Sequence, residues 1–248
     1  MAGLRLNIDL ALGPRAAEDE EEAFAPTALF GASEAGVWYD PSDLSSMFQD
    51  SAGTTPAAVD SPVGRINDKS GNGNNAVQAT AAARPILRAG GYLEFDGVDD
   101  FLRSTFAIAQ PWDRISALRQ ISWTGTDRIY NGVAGFSGAL YQRTASPNLA
   151  IYDGGTPVEI TGPAIGANGI ITERHDGANS RVALNNGTYG TGSTGTTAAG
   201  GVTIGATDTG TLTGAFRYYG MVMIGRDLSD SEISALRSYL AAKAGVTL

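Results

Sequence analysis

The chain has 248 residues, no cysteine, 26 acidic against 17 basic side chains and a formal net charge of −9. This excludes disulfides and thiolate metal sites, and it argues against duplex nucleic acid or an anionic membrane surface as partners, since both need clustered Lys and Arg. Hydrophobic residues at 42 % and charged residues at 17 % allow a core beneath a weakly charged surface, and this length suits one large β-domain of about 200–250 residues.

Residues 1–25 differ in character from the rest. Leu4, Leu6, Ile8 and Leu10 alternate with polar residues, the period-2 pattern of a half-buried strand. Gly13-Pro14 ends it, and the acidic run 18–22 follows. Two readings stand. The segment is either the first strand of the main sheet or a docking arm that joins another subunit's sheet edge. The acidic spacer favours the arm. The first twelve residues lack the long apolar run and cleavage site of a secretory signal. No segment reaches the roughly 20 apolar residues that span a bilayer. Cytoplasmic synthesis without membrane insertion is therefore expected.

The expected β-domain occupies residues 26–248. Its opening pieces, VWYDPSDL, INDKSGNGNNAVQ, ARPIL and YLEFDGVDDFL, are short apolar stretches ended by turn-formers: Asp40-Pro41, Ser70-Gly71, Asn72-Gly73 and Asp96-Gly97. Gly, Pro, Asn and Asp each favour turns for their own physical reason. Further strand-like pieces follow: ISALRQISW, DRIYNGVAGF, ALYQRT, NLAIYDG, GIITERHDG, SRVALNNG, GVTIGAT and FRYYGMVMIG. No amphipathic helical run interrupts them, so an antiparallel two-sheet sandwich is expected. The Gly/Thr-rich residues 188–201 have no periodicity and are expected to form a surface loop. At the end, Ser229 and Glu232 have capping-box spacing, Ile233, Leu236 and Leu240 share a helical face, and Gly245 supplies a stop. One short C-terminal helix is predicted there.

The order of these motifs resembles a known family. The Trp38-x-Asp40 start, the D-x-S-G-x-G-x-x-A segment from Asp68 to Ala76, the Arg84-Pro85 pair and the F-D-G-x-D-D-x-L strand from Phe95 to Leu102 are similar to the LamG-like jelly rolls of the concanavalin A-like lectin/glucanase group. The closing GVTIGA…FRYYGMVMIGRDLSDSEISALRSYL is similar to that group's final strands and helix. The likeness covers about residues 36–245. The WYDPSDL…FQDSAGTTP wording resembles modules of phage and prophage structural proteins. It implies a non-enzymatic virion subunit (a fibre, head or tail spike, or decoration protein) released by lysis. Such a subunit would dock on other virion subunits through its N-terminal arm, form homo-oligomers and present its jelly roll to host-surface polysaccharide. A stand-alone carbohydrate-binding lectin is the alternative, followed by a glycoside hydrolase.

Candidate chemistry is sparse. The glucanase branch carries Glu-x-Asp-x-Glu on one strand; here Glu94 and Asp96 share a face, but Val98 stands where the second Glu would be. His175 is the sole histidine and precedes the Asp176-Gly177 turn, where an exposed polar residue is expected. No G-x-S-x-G elbow is present, and one histidine makes no zinc site. The GNGNN run at 71–75 lacks the phosphate-loop pattern. Calcium is the one metal with ligands at hand, in Asp68, Asn72, Asn74, Asp96, Asp99 and Asp100, with Asx-turn bonding as the competing use. The rings of Trp38, Tyr39, Trp112, Trp123, Tyr130, Tyr141, Tyr152, Tyr189, Tyr218 and Tyr219 are expected mainly as packing. No catalytic, cofactor or metal residue is assigned.

Overall fold

Along residues 215–224, side chains alternate between two apolar environments, as a strand buried on both faces requires. Phe216, Tyr218, Met221 and Met223 pack into one cluster and Tyr219, Val222 and Ile224 into another. The inward series skips two residues between Tyr218 and Met221 because pairing with the neighbouring strand shifts register between Tyr218 and Gly220. This bulge resets the phase.

A computed structural model describes residues 24–31 and 33–248; the alternating run at residues 4–10 and the acidic run lie outside the described residues. In chain order the strands are β1 (Gly36–Tyr39), β2 (Met47–Phe48), β3 (Arg65–Ile66), β4 (Ala76–Val77), β5 (Ile86–Arg88), β6 (Tyr92–Asp96), β7 (Leu102–Thr105), β8 (Trp112–Gln120) and β9 (Arg128–Asn131). They continue as β10 (Ala139–Gln142), β11 (Leu149–Tyr152), β12 (Val158–Ile160), β13 (Asn168–His175), β14 (Ser180–Leu184), β15 (Gly190–Gly192), β16 (Gly201–Ile204) and β17 (Ala215–Ile224), before one helix, α1 (Asp230–Ala244).

These strands form two sheets whose strand pairs are all antiparallel, a jelly-roll-like sandwich. One sheet has eight strands in the order β15-β14-β13-β8-β17-β6-β5, with β1 also on β17; the other has nine, β12-β11-β10-β9-β16-β7-β4-β3-β2. The predicted strands of the second half all form. The expected surface loop at 188–201 instead contributes edge strand β15, and its Thr194 is fully buried. Gly36 shows why β1 can lie on β17: at φ +142° a Cβ there would stand 2.0 Å from the Met223 carbonyl oxygen.

Between the sheets, Leu93, Phe95, Leu118 and Phe216 face Ile129, Leu140, Ile151, Val202 and Ile204. A second apolar layer lies outside the eight-stranded sheet. There Ile115, Ala117, Ile170 and Val222 pack under Ile233, Leu236 and Leu240 of α1. The helix carries the predicted capping box, and Gly245 ends it in the left-handed conformation at φ 63°. Arg226 and Ser229 bonded to Glu232 hold that carboxyl at about 2, against the opposing effect of burial. The helix thus covers one outer sheet face, and among the described residues no helix covers the other.

Candidate functional site

Alternation on β8 and β13 points Trp112, Arg114, Glu173 and His175 into the sandwich. Arg114 sits opposite Glu173, and Trp112 opposite His175. Arg114 grips Glu173 with two bonds, Nε–Oε1 at 2.9 Å and Nη2–Oε2 at 2.6 Å. His175 Nδ1 lies 2.6 Å from Asp153 Oδ2 and its Nε2 3.4 Å from Glu173 Oε2. The Trp112 ring stacks on the imidazole at 3.8 Å. Asp153 also accepts from the Gly138 N–H at 2.7 Å and from Thr194 Oγ1 at 2.8 Å. Burial pulls the imidazole pKa down, but the facing carboxylates outweigh it and hold it above its ordinary value. Burial likewise opposes ionisation of Asp153 and Glu173, yet His175 and Arg114 hold both below the usual range.

His175 is therefore not the exposed turn residue expected. It is 0 % exposed, as are Glu173 and Asp153, because an imidazolium shared by two carboxylates tolerates burial that a lone one would not. With no opening to solvent, this cluster binds the two sheets together and leaves no room for a substrate.

The Asp68 block is spent on its own turns. Asp68 accepts from the N–H groups of Trp38, Ser70 and Asn74 at 2.9–3.0 Å, while Asn72 and Asn74 donate to the Gly36 carbonyl at 3.1 Å. Glu94 lies between Arg88 and Arg217, at 3.1 and 3.0 Å, so the glucanase-like fragment offers no free glutamate. Asp96, Asp99 and Asp100 do come together, with ligand oxygens within 4.8 Å of one another. Burial, with Asp96 and Asp99 alongside, pushes the Asp100 carboxyl up to about 6 although it accepts the Asp96 N–H. A hard cation would relieve this crowding. Asp96 spends one oxygen on the Val98 N–H.

The outer face of the nine-stranded sheet carries the other concentration of functional groups. Register places Tyr141 opposite Ala150 and Arg128, and Tyr152 opposite Ala139. These alanines leave space that rings fill: Phe136, from the loop at residues 132–138, meets Tyr141 edge-on at 5.6 Å and Tyr152 tilted at 4.4 Å. The Arg128 guanidinium lies 4.2 Å from the Phe136 ring centre and 4.6 Å from that of Tyr141. Arg143 donates to the Tyr141 hydroxyl at 3.1 Å and pairs with Glu159 at 3.7 Å. Further along, Arg103 bonds Thr203 at 3.3 Å, beside a cleft of about 420 Å³ lined by Asn74, Val77, Phe101, Arg103 and Thr105.

Of the rings read from the sequence, Tyr141 and Tyr152 reach this face. Trp38 and Tyr219 lie under the helix, while Tyr39, Trp112, Tyr130 and Tyr218 are interior. Phe136 is not among those rings; it ends the strand-like piece DRIYNGVAGF, but β9 stops at Asn131 and Phe136 falls in the loop that follows.

No protein-family description matches the chain, and no curated protein matches it. Solved structures do. A GH54 α-L-arabinofuranosidase superposes with TM-score 0.61 at 14 % identity, over 89 % of this chain and 66 % of that one. Trypanosoma rangeli sialidase gives 0.54 at 14 % identity, over 88 % and 34 %. An arabinofuranosidase complexed with arabinofuranosyl-α-1,2-xylobiose gives 0.50 at 16 %, over 74 % and 51 %. The likeness is one of fold. This chain spans 66 % of the GH54 enzyme and about a third of the sialidase, so the activities of those whole proteins stay with them. The finding nonetheless overturns the expectation of a non-enzymatic virion subunit. The solved structures named above are arabinofuranosidases and a sialidase, and none is a phage structural protein.

Proposed function

We propose that this chain is a carbohydrate-active protein that seats an oligosaccharide on the outer face of its nine-stranded sheet, against Phe136 and Tyr152, with Tyr141 buried beneath them. One observation carries this reading. The sheet face that no helix covers among the described residues presents Phe136 and Tyr152, packed on the buried Tyr141 and bordered by Arg128, Arg143 and Glu159. Ring faces accept the C–H surface of a sugar, and planar charged groups at their edge match its hydroxyls. A glycan array followed by calorimetry tests it. Tyr152→Ala is expected to weaken binding about tenfold or more, as truncation of a central aromatic contact does, with the melting temperature retained. Absence of glycan binding, or an unchanged Kd in the variant, would sink the reading.

Asp100 favours cleavage of the bound glycan as a second reading. A carboxyl held near 6 stays protonated long enough to act as an acid, and Asp96 and Asp99 stand beside it. A panel of nitrophenyl glycosides, arabinofuranosides included, is expected to release nitrophenol. Asp100→Asn should lower kcat by about 10²–10⁴-fold while leaving glycan binding at Tyr152 unchanged. No release, or release that survives the substitution, removes this reading.

A further inference from the structure

Two arginines among the described residues are buried, Arg114 and Arg128. Arg114 has a carboxylate in a two-bond grip. Among the described residues Arg128 has no salt-bridge partner; one N–H reaches the Thr126 carbonyl, while its Nε has no acceptor. Among the described residues Tyr141 and, more weakly, Asp127 act on it electrostatically, and neither forms an ion pair with it. The residue is 6 % exposed, and burial lowers its pKa to about 10. A desolvated guanidinium without a counter-charge is costly, and two ring faces offset only part of that cost. The other cation of the platform does not share this condition, because Arg143 has Glu159, which also accepts from Asn148 at 2.7 Å.

We propose that this face recognises carboxylated sugars, uronic or sialic acid residues, with Arg128 meeting the ligand carboxylate while the adjoining rings hold the sugar. The inference rests on the glycan reading above and narrows its substrate class. A carboxylate matches the fork of a guanidinium with two parallel bonds, and the free Nε supplies a donor for one of them. Phe136, 41 % exposed, stacks on the guanidinium and must turn aside for the carboxylate to enter. It stands between Gly135 and Gly138, whose positive φ angles of 72° and 55° shape the loop. The net charge of −9 opposes an anionic ligand only over distances that physiological salt screens beyond about 8 Å.

The test uses the full chain and matched probes in calorimetry: oligogalacturonate against its methyl ester, and sialyllactose against lactose. At least one carboxylated probe is expected to bind about tenfold or more tightly than its neutral partner, the worth of one charged hydrogen bond. Which pair shows the difference identifies uronate or sialate as the source. The preference should vanish in Arg128→Gln. Equal binding of both members of each pair in the wild-type protein overturns the proposal without any variant, so misfolding of Arg128→Gln cannot shield it. A preference that survives in folded Arg128→Gln overturns it as well. Neutral glycans bound through Tyr152 without a carboxylate preference would leave the glycan reading standing and this one refuted; no binding of either kind removes both.

Discussion

Replacing His175 with glutamine is expected to cost about 3–5 kcal/mol of folding stability, the usual result of removing one partner from a buried charge pair. Both carboxylates that His175 touches are fully buried, so the substitution strands charge where water cannot reach it. Glutamine can still donate a hydrogen bond to Asp153, which places the loss at the lower end of that range. The pH dependence carries the sharper signature. An imidazole held above its ordinary 6.5 contributes stability that is fully present below about pH 6.5 and is lost as pH rises through its folded value. Asp153 and Glu173, held below 3.8 and 4.5, contribute stability present above those values and lost as pH falls through their folded ones. The wild-type protein should therefore be most stable between the two windows. In His175→Gln the alkaline decline due to the imidazole should disappear, and the acid decline due to Asp153 and Glu173 should shrink, because the imidazolium no longer holds their carboxyls down against burial. Urea denaturation across pH measures both flanks. As the chain has a single histidine, its ring protons report the titration directly by NMR. A loss below about 1 kcal/mol with both flanks unmoved would mean that the buried imidazole is neutral and the network weak.

What could be read from the sequence was what local chemistry decides. Ser229, Glu232 and Gly245 cap their helix through backbone groups within a few residues, so spacing suffices. The turns of the Asp68 block are likewise closed by side chains within a few residues, apart from the bonds to β1. Facing was harder. Adjacent Tyr218 and Tyr219 must point opposite ways, yet which way depends on the bulge at Gly220 and on where the helix docks. Tyr152 stays at the surface because α1 packs on the other sheet, a choice made by residues nearly a hundred positions away. His175 was misread for the same reason. Its burial depends on Asp153, 22 residues earlier, and that carboxylate is itself held by Thr194 from a segment that reads as featureless. The glycan platform also draws on this interior: Asp153 follows Tyr152 directly, and its carboxylate holds the Gly138 N–H at the base of the Phe136 loop.

Arg114→Met alone is expected to destabilise the protein by about 3–5 kcal/mol, because Glu173 would keep only His175 at 3.4 Å and lose its two-bond partner. The double variant Arg114→Met/Glu173→Leu separates the value of the pair from the penalty of breaking it. Removing both charges together replaces a buried ion pair with apolar volume, which is often neutral or stabilising by about 1–4 kcal/mol. Two terms hold the gain back here. Arg114 also donates to the Gly138 carbonyl at 3.2 Å, and a buried carbonyl left without a donor costs about 1–3 kcal/mol. The guanidinium also lies 4.3 Å from the Tyr130 ring centre, an attraction that methionine replaces only in part. The double variant should thus recover more than half of the single variant's loss without surpassing the wild type. Denaturation midpoints of the two singles and the double give the coupling energy in one cycle. If the double proves no more stable than Arg114→Met, the stranded Glu173 charge is not the source of the loss, and Gly138 at the base of the Phe136 loop becomes the main beneficiary of Arg114. Tyr152-dependent glycan binding should then fall in every variant that lacks Arg114, including those whose stability is restored.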